Sequence, residues 1–345
     1  MEFYASLTIN RCHLIKLTQI WAQYHPGQDF PFRRAIISPL FARNGVLEML
    51  YQQRKRCKVM FDSGGFHVQQ GRITLASASR RLRKLYSENA WANRFVLPDT
   101  PVVSGDSKDK VAQKLRSTRR QYRSFPAGFP ESVRRRLLPV VHGTTSQEIG
   151  SSLEVAQFVG SQGLGFGGFA TSGPNSGVNS FTPNTLRLLS VFSSFCEQKR
   201  LRTHIFGIGG PASIAVLNYA HVHTFDSAGW IRAAAYGNAY LPFVGALNVT
   251  GSSNSHRFVS RAEFSRLRKW TGHKCLFCQD HGVLMESWRH RALHNYSTLS
   301  QAVQDLKHTP VSVALERLHV FNPRFARYLQ LILDERARLA ATPTN

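Results

Sequence analysis

Six short apolar runs, each closed by a polar residue or a glycine, recur along this 345-residue chain. They are Cys57–Asp62 (CKVMFD), Arg94–Asp99 (RFVLPD), Leu137–His142 (LLPVVH), Gly163–Gly168 (GLGFGG), His204–Gly207 (HIFG) and Val222–Asp226 (VHTFD). A brief apolar run bounded by turn residues is the pattern of a strand buried on both faces. Helical patterns separate them, at Ser146–Ser161, Asn184–Lys199 and Pro211–Ala220, with Pro211 suited to a first helical position. Strand and helix in alternation mean a parallel sheet. The length fits one α/β barrel with an insertion. Arg34–Ser38 (RAIIS) reads as the first strand, after an irregular or partly helical lead-in over residues 1–30. In a parallel barrel, reactive side chains gather where strands end, so these polar endings predict one site assembled from distant segments.

The charge balance narrows the partner. Forty-four Lys and Arg against twenty Asp and Glu leave a formal +24, with a pI near 10.6. Such an excess draws a polyanion, and nucleic acid is the expected one, with solubility alone as the plain alternative. No apolar stretch approaches the roughly 20 residues of a membrane span, so no membrane partner is expected. The N-terminus lacks the pattern of a secretory signal. Two of the five cysteines fall in one metal-like cluster, which argues for a reducing compartment and a cytoplasmic location.

The stretch Ser107–Phe125 reads as a basic helix with Arg116, Arg119, Arg120 and Arg123 on one face. That face suits phosphate contact, and a solvated helix face is the alternative. Thr171–Ser180, rich in Gly, Ser and Asn, reads as a loop and candidate lid. Thr309–Ala340 reads as mostly helical, and no domain boundary is legible before about residue 255.

Three constellations carry chemistry. His273, Cys275 and Cys278, followed by His294, offer four N/S ligands for a structural tetrahedral Zn2+, with His281 and His290 competing for the fourth place. Gly163-x-Gly165-x-x-Gly168 matches a dinucleotide fingerprint only formally, because these glycines lie in and at the end of a strand rather than before a helix. Glycines there suit backbone approaching a ligand closely. Asp62, Asp99 and Asp226 end three of the runs, and buried aspartates are costly unless paired or functional.

With these residues set out, the chain resembles the tRNA-guanine transglycosylase family. Asp62-Ser63-Gly64-Gly65-Phe66 is similar to its DSGG(F/Y) motif, and Asp99 in LPDTP to its base-reading aspartate. His142-Gly143 stands where the family has Gln-Gly, a departure. Gly167-Gly168-Phe169-Ala170 resembles its GG-L-A loop, Phe206-Gly207-Ile208-Gly209 its G-x-G segment, and Phe225-Asp226-Ser227-Ala228 its nucleophile motif. The metal cluster resembles its C-x-C-x-x-C…H site with His273 for the first cysteine. These landmarks run from about residue 57 to 300, in family order.

The resemblance implies a TIM (β/α)8 barrel spanning residues 1–255, a zinc subdomain at 256–308, and C-terminal helices at 309–345 that complete the barrel. It implies guanine exchange through a covalent intermediate, with Asp226 as nucleophile and Asp62 as general acid/base. Asp99, His142, Gly167 and Gly168 would bind the base, and Phe66 and Phe206 would sandwich it. The P-T-R-x-x-R-x-G-type segment of bacterial tRNA enzymes is replaced here by Ala228-Gly229-Trp230-Ile231-Arg232. The compact, basic chain is most similar to the DNA-modifying DpdA group, which implies DNA as substrate, preQ0 or a related 7-deazaguanine as incoming base, helper proteins of a modification cluster, and a bacterial or phage-infected cell. The alternatives are tRNA as substrate, or a non-catalytic subunit that binds nucleic acid.

Overall fold

The computed structural model describes residues 1–43, 45–172, 178–252 and 256–341. Its strands are β1 (Glu2–Ser6), β2 (Arg34–Ile37), β3 (Lys58–Phe61), β4 (Arg94–Val96), β5 (Leu137–Leu138), β6 (Val140–Val141), β7 (Gly163–Phe166), β8 (Ala170–Ser172), β9 (Val178–Ser180), β10 (Arg202–Ile205), β11 (Thr224–Ser227), β12 (Asn238–Leu241) and β13 (Gly245–Asn248). Nine of them form one parallel sheet in the order β5-β4-β3-β2-β1-β11-β10-β7-β6. All six apolar runs lie in it.

The two ends of this order are halves of a single segment. Amides of Phe95 and Leu97 donate to the Arg136 and Leu138 carbonyls, both at 3.0 Å. Amides of Gly165 and Gly167 donate to the Pro139 and Val141 carbonyls at 2.8 and 3.0 Å. Pro139 has no N–H to offer a ladder, so the strand is interrupted there while its flanks bond to both neighbours. The sheet is thereby nearly closed and barrel-like.

The first strand is not Arg34–Ser38. Glu2–Ser6 precedes it and pairs in parallel with both β11 and β2. Phe3, Tyr4 and Ala5 are buried in this strand. Glu2–Ser6 runs on into Leu7-Thr8-Ile9 without a Gly, Pro or Asp, and so lacks the punctuation that marks the other strands. The helix Arg11–Tyr24 follows, its N-cap Asn10 accepting from the His13 amide at 2.9 Å.

Helices cover the outside of the sheet. Helix Lys108–Ser124 turns Val111, Leu115, Thr118 and Tyr122 inward, and Ser146–Gln157 and Pro183–Gln198 match their predicted patterns. Pro211 is not helical: the helix begins at Ser213, whose hydroxyl accepts from the Gly210 amide at 2.7 Å. The C-terminal stretch forms Val311–Phe321 and Pro323–Ala341, and the latter packs on Pro183–Gln198 and Ser213–Tyr219. The expected loop at Thr171–Ser180 is flanked by the arms of an antiparallel hairpin, β8 with β9, while residues 173–177 of the candidate lid lie outside the described residues. No described helix is long and apolar enough to cross a membrane.

Side chains pointing into the ring form their own small core: Tyr4, Ile36, Met60, Val96, Leu138 and Val140, with Phe206 packed on it. A second small core joins the β12–β13 hairpin to Phe264, Leu267, Cys278 and Leu284.

Candidate active site and metal cluster

Asp62 directly follows β3, Asp99 lies just beyond β4, and Asp226 is within β11 near its end. All three therefore stand at the C-terminal end of the sheet. The local sequence explains their setting. Gly64 takes φ +72, a left-handed turn that brings its amide back to Asp62 Oδ2 at 3.1 Å. The Ser63 hydroxyl donates to Asp99 Oδ1 at 2.8 Å. A side chain at Gly65 would meet that same oxygen at 2.8 Å, so the Gly-Gly pair lets β3 and β4 bring their carboxylates together.

Two of the three carboxylates have an imidazole partner. His142 Nε2 lies 2.6 Å from Asp99 Oδ2, with both side chains buried. His204, on β10 and 1% exposed, sets Nε2 3.3 Å from Asp226 Oδ1. The Gly207 amide donates to the same oxygen at 3.1 Å, and Oδ2 has no partner among the described residues. His204 Nδ1 is anchored at 2.9 Å by Thr224 Oγ1.

Among the described residues, Asp62 has no cation paired with it. Burial, followed by the negative charges of Asp99 and Asp226, pushes its carboxyl up to about 7, against the opposing Gly64 and Ser63 amides. The site thus holds two carboxylates paired with histidines and a third that can carry a proton near neutrality. Aspartates whose environments differ in this way have the division of labour that acid and nucleophile need.

The other predicted residues surround this group. Backbone at Gly167 passes so close to His142 that a Cβ there would lie 2.6 Å from the ring. Gly168 runs beside the Gly143 carbonyl. Phe66 is exposed at the start of helix Gly65–Gln69. Phe206 lies over Gly165, its ring centroid 4.4 Å from that of His204. No ring contact joins Phe66 to Phe206 among the described residues. Arg116, Arg120 and Arg123 are exposed and Arg119 is half-buried, with no ion pair at any of the four among the described residues. They descend the helix away from its Ser107 cap, whereas Lys114 reaches the Pro101 carbonyl at 2.8 Å.

Sequence reading missed His204 and the role of Ser63. The available signal was parity: His204 and Phe206, two residues apart, share one face of an otherwise apolar run, with Ile205 on the other.

A second cluster lies apart from the carboxylates. His273, Cys275, Cys278 and His294 place one ligand atom each within 4.8 Å of one another. His294 Nε2 faces the Tyr240 carbonyl at 2.8 Å, and His273 Nε2 faces the Thr298 hydroxyl at 3.4 Å. Both Nδ1 atoms are buried without a partner. The carbonyl at His294 Nε2 fixes the proton there, and the Thr298 hydroxyl, which donates to the His294 carbonyl at 2.9 Å, is left to accept from His273 Nε2. Each Nδ1 thus keeps a lone pair, the arrangement of a metal-bound imidazole. The donor set could therefore hold a metal ion. The competitors stay out: His290 Nδ1 pairs with Ser287 Oγ at 2.7 Å, and His281 packs on Phe264.

The fold and these side chains define an α/β protein with a nearly closed parallel sheet, an acidic mouth and a His/Cys cluster fit for a metal. No protein-family model matches the chain, and no curated protein matches it.

Proposed function

We propose that the chain is a DNA guanine transglycosylase, exchanging guanine for preQ0 or a related 7-deazaguanine. The observation that carries this reading is the carboxylate triad: Asp62 raised to about 7 between Asp99 and Asp226 at one sheet end. Counting Leu137–Val141 as one interrupted strand gives eight, the number of a (β/α)8 barrel, whose active sites lie at that end.

In this reading Asp99 accepts hydrogen bonds from the guanine N1 and N2 groups, with His142 and the Gly167-Gly168 backbone at the other edge. Phe66 and Phe206 supply aromatic faces to a flipped-out base. Asp226 Oδ2, the unpartnered oxygen, attacks C1′ as the C1′–N9 bond breaks, and Asp62 gives its proton to the leaving guanine. An adjacent carboxylate suits the oxocarbenium-like sugar that forms on the way. The incoming base then loses its N9 proton to Asp62, and its N9 displaces Asp226 from C1′.

The segment after the nucleophile favours DNA over tRNA, while the charge suits either polyanion. Trp230 and Ile231 are buried in helix Gly229–Ala235, so that stretch packs the fold where bacterial tRNA enzymes carry a recognition element. The cluster of His273, Cys275, Cys278 and His294 would hold a structural Zn2+, tying the small core to the helix Trp288–Asp305.

The test is incubation with labelled preQ0 and, side by side, guanine-containing DNA and tRNA. Label in DNA supports the reading; label in tRNA alone moves the substrate. Salt-sensitive DNA binding without incorporation, with or without helper proteins, leaves a non-catalytic subunit.

A further inference from the structure

The other end of the sheet holds a cavity of about 240 Å3, with strand-start residues at its rim and Tyr4, Met60, Leu138 and His204 further in. Its lining includes Glu2, Tyr4, Lys58, Arg94 and Arg202. Glu2 is the one acidic residue of that lining, and it is already engaged by Arg34 and, at 3.5 Å, by Arg202. Lys58 and Arg94 have no carboxylate partner among the described residues. Arg94 is the less comfortable of the two. It is half-buried, its Nη1 has no hydrogen-bond partner among the described residues, and burial first, then the Arg202 and Arg136 charges, disfavour its charged form.

A guanidinium drawn out of water among like charges is costly unless an anion accompanies it. Arginine's planar fork is matched to a tetrahedral oxyanion. At about 30 Å3 per water, the cavity has room for one such ion and several waters. We propose that this cavity binds a single phosphate-sized oxyanion, either free phosphate or the terminal group of a phosphate monoester, held by Arg94 with Arg202 and Lys58. The basic residues stand at the opposite end of the sheet from the aspartates, with His204, which contacts Asp226, at the inner wall of the cavity; the proposal does not rest on the base exchange. Its effect is on stability, since a ligand bound by the folded state alone raises the unfolding temperature.

The experiment compares thermal unfolding in inorganic phosphate and in chloride at matched ionic strength, with 31P line broadening as a second readout. Wild-type protein should show a saturable, phosphate-specific rise in Tm. Arg94→Met should bind phosphate at least about tenfold more weakly. Lys58→Met, at an exposed position, gives the same comparison by 31P broadening if the Arg94 variant does not fold. Adenosine 5′-monophosphate in a parallel arm separates the sources, because tighter binding than phosphate assigns a monoester and weaker binding the free ion. No phosphate-specific rise in wild type, or an undiminished one in the variants, overturns the site.

Discussion

His142 and Asp99 form a buried pair, with Nε2 of the one 2.6 Å from Oδ2 of the other. The Ser63 hydroxyl binds the second Asp99 oxygen at 2.8 Å, so the carboxylate is fixed from two strands at once. Its plane is set by the protein itself, as the proposed base-reading role requires. Pre-set acceptors of this kind discriminate strongly against bases that lack the matching donors.

Gly167→Ala tests how far that pair depends on bare backbone. The added methyl would lie 2.6 Å from the His142 ring and force it to move. The expected cost is about 1–3 kcal/mol of stability, with at least a tenfold loss of affinity for the 7-deazaguanine base. Calorimetric titration with preQ0 measures the second effect, and unchanged affinity would remove His142 from the base pocket.

Asp226→Asn should abolish the covalent DNA adduct and lower exchange by on the order of 10³-fold or more, without unfolding the protein. Denaturing gel analysis after incubation with DNA reads the adduct. An adduct that persists in this variant assigns the nucleophile elsewhere.

His204 Nε2 and the Gly207 amide hold Asp226 Oδ1; in the proposed reaction this makes His204 a positioning residue that leaves Oδ2 for the sugar. His204→Leu should slow adduct formation by roughly 10–100-fold, since one hydrogen bond to a charged group is lost. His204→Gln, which retains a donor, should recover part of that rate. Base affinity should stay at the wild-type level in both, because the proposed base contacts are at Asp99 and His142; a parallel loss of affinity would indicate general disruption instead.

Asp62 makes stability and rate depend on pH. Its folded value of about 7 stands above the ordinary 3.8, so the native state holds this proton more tightly than the unfolded chain. Stability from this group is then full below pH 4 and declines as pH rises to about 7. Asp62→Asn should accordingly raise stability at pH 8 by about 1–2 kcal/mol, with solvent access at the mouth limiting the gain, and change it little at pH 4. Guanine release, which needs the protonated acid, should slow as pH rises through 7 and lose that dependence in the variant. Denaturant titrations at the two pH values and single-turnover rates measure these effects.

Removal of metal should unfold the small core first. One equivalent of zinc is expected by elemental analysis, and a chelator or Cys278→Ser should lower Tm by on the order of 5 °C. Identical melting with and without chelator would mean that the His/Cys group folds without an ion.

What the sequence settled by itself was local. Strands buried on both faces must be apolar throughout, and turn residues must end them, so six barrel strands were legible from single runs. The spacing of His273, Cys275 and Cys278 marked a ligand set, because donors that close in the chain readily reach one ion, while His294 joins them from a following helix. Tertiary structure alone decided the partners. Nothing in the string says that Asp99 meets His142 across 43 positions, or that His204 serves Asp226 while Asp62 goes without a cation. The first strand was hidden for the same reason: Glu2–Ser6 is recognisable only by its two neighbours, Arg34–Ile37 and Thr224–Ser227. Closure of a sheet brings distant segments into contact, and the charge, burial and proton affinity of a side chain are properties of those contacts rather than of its place in the chain.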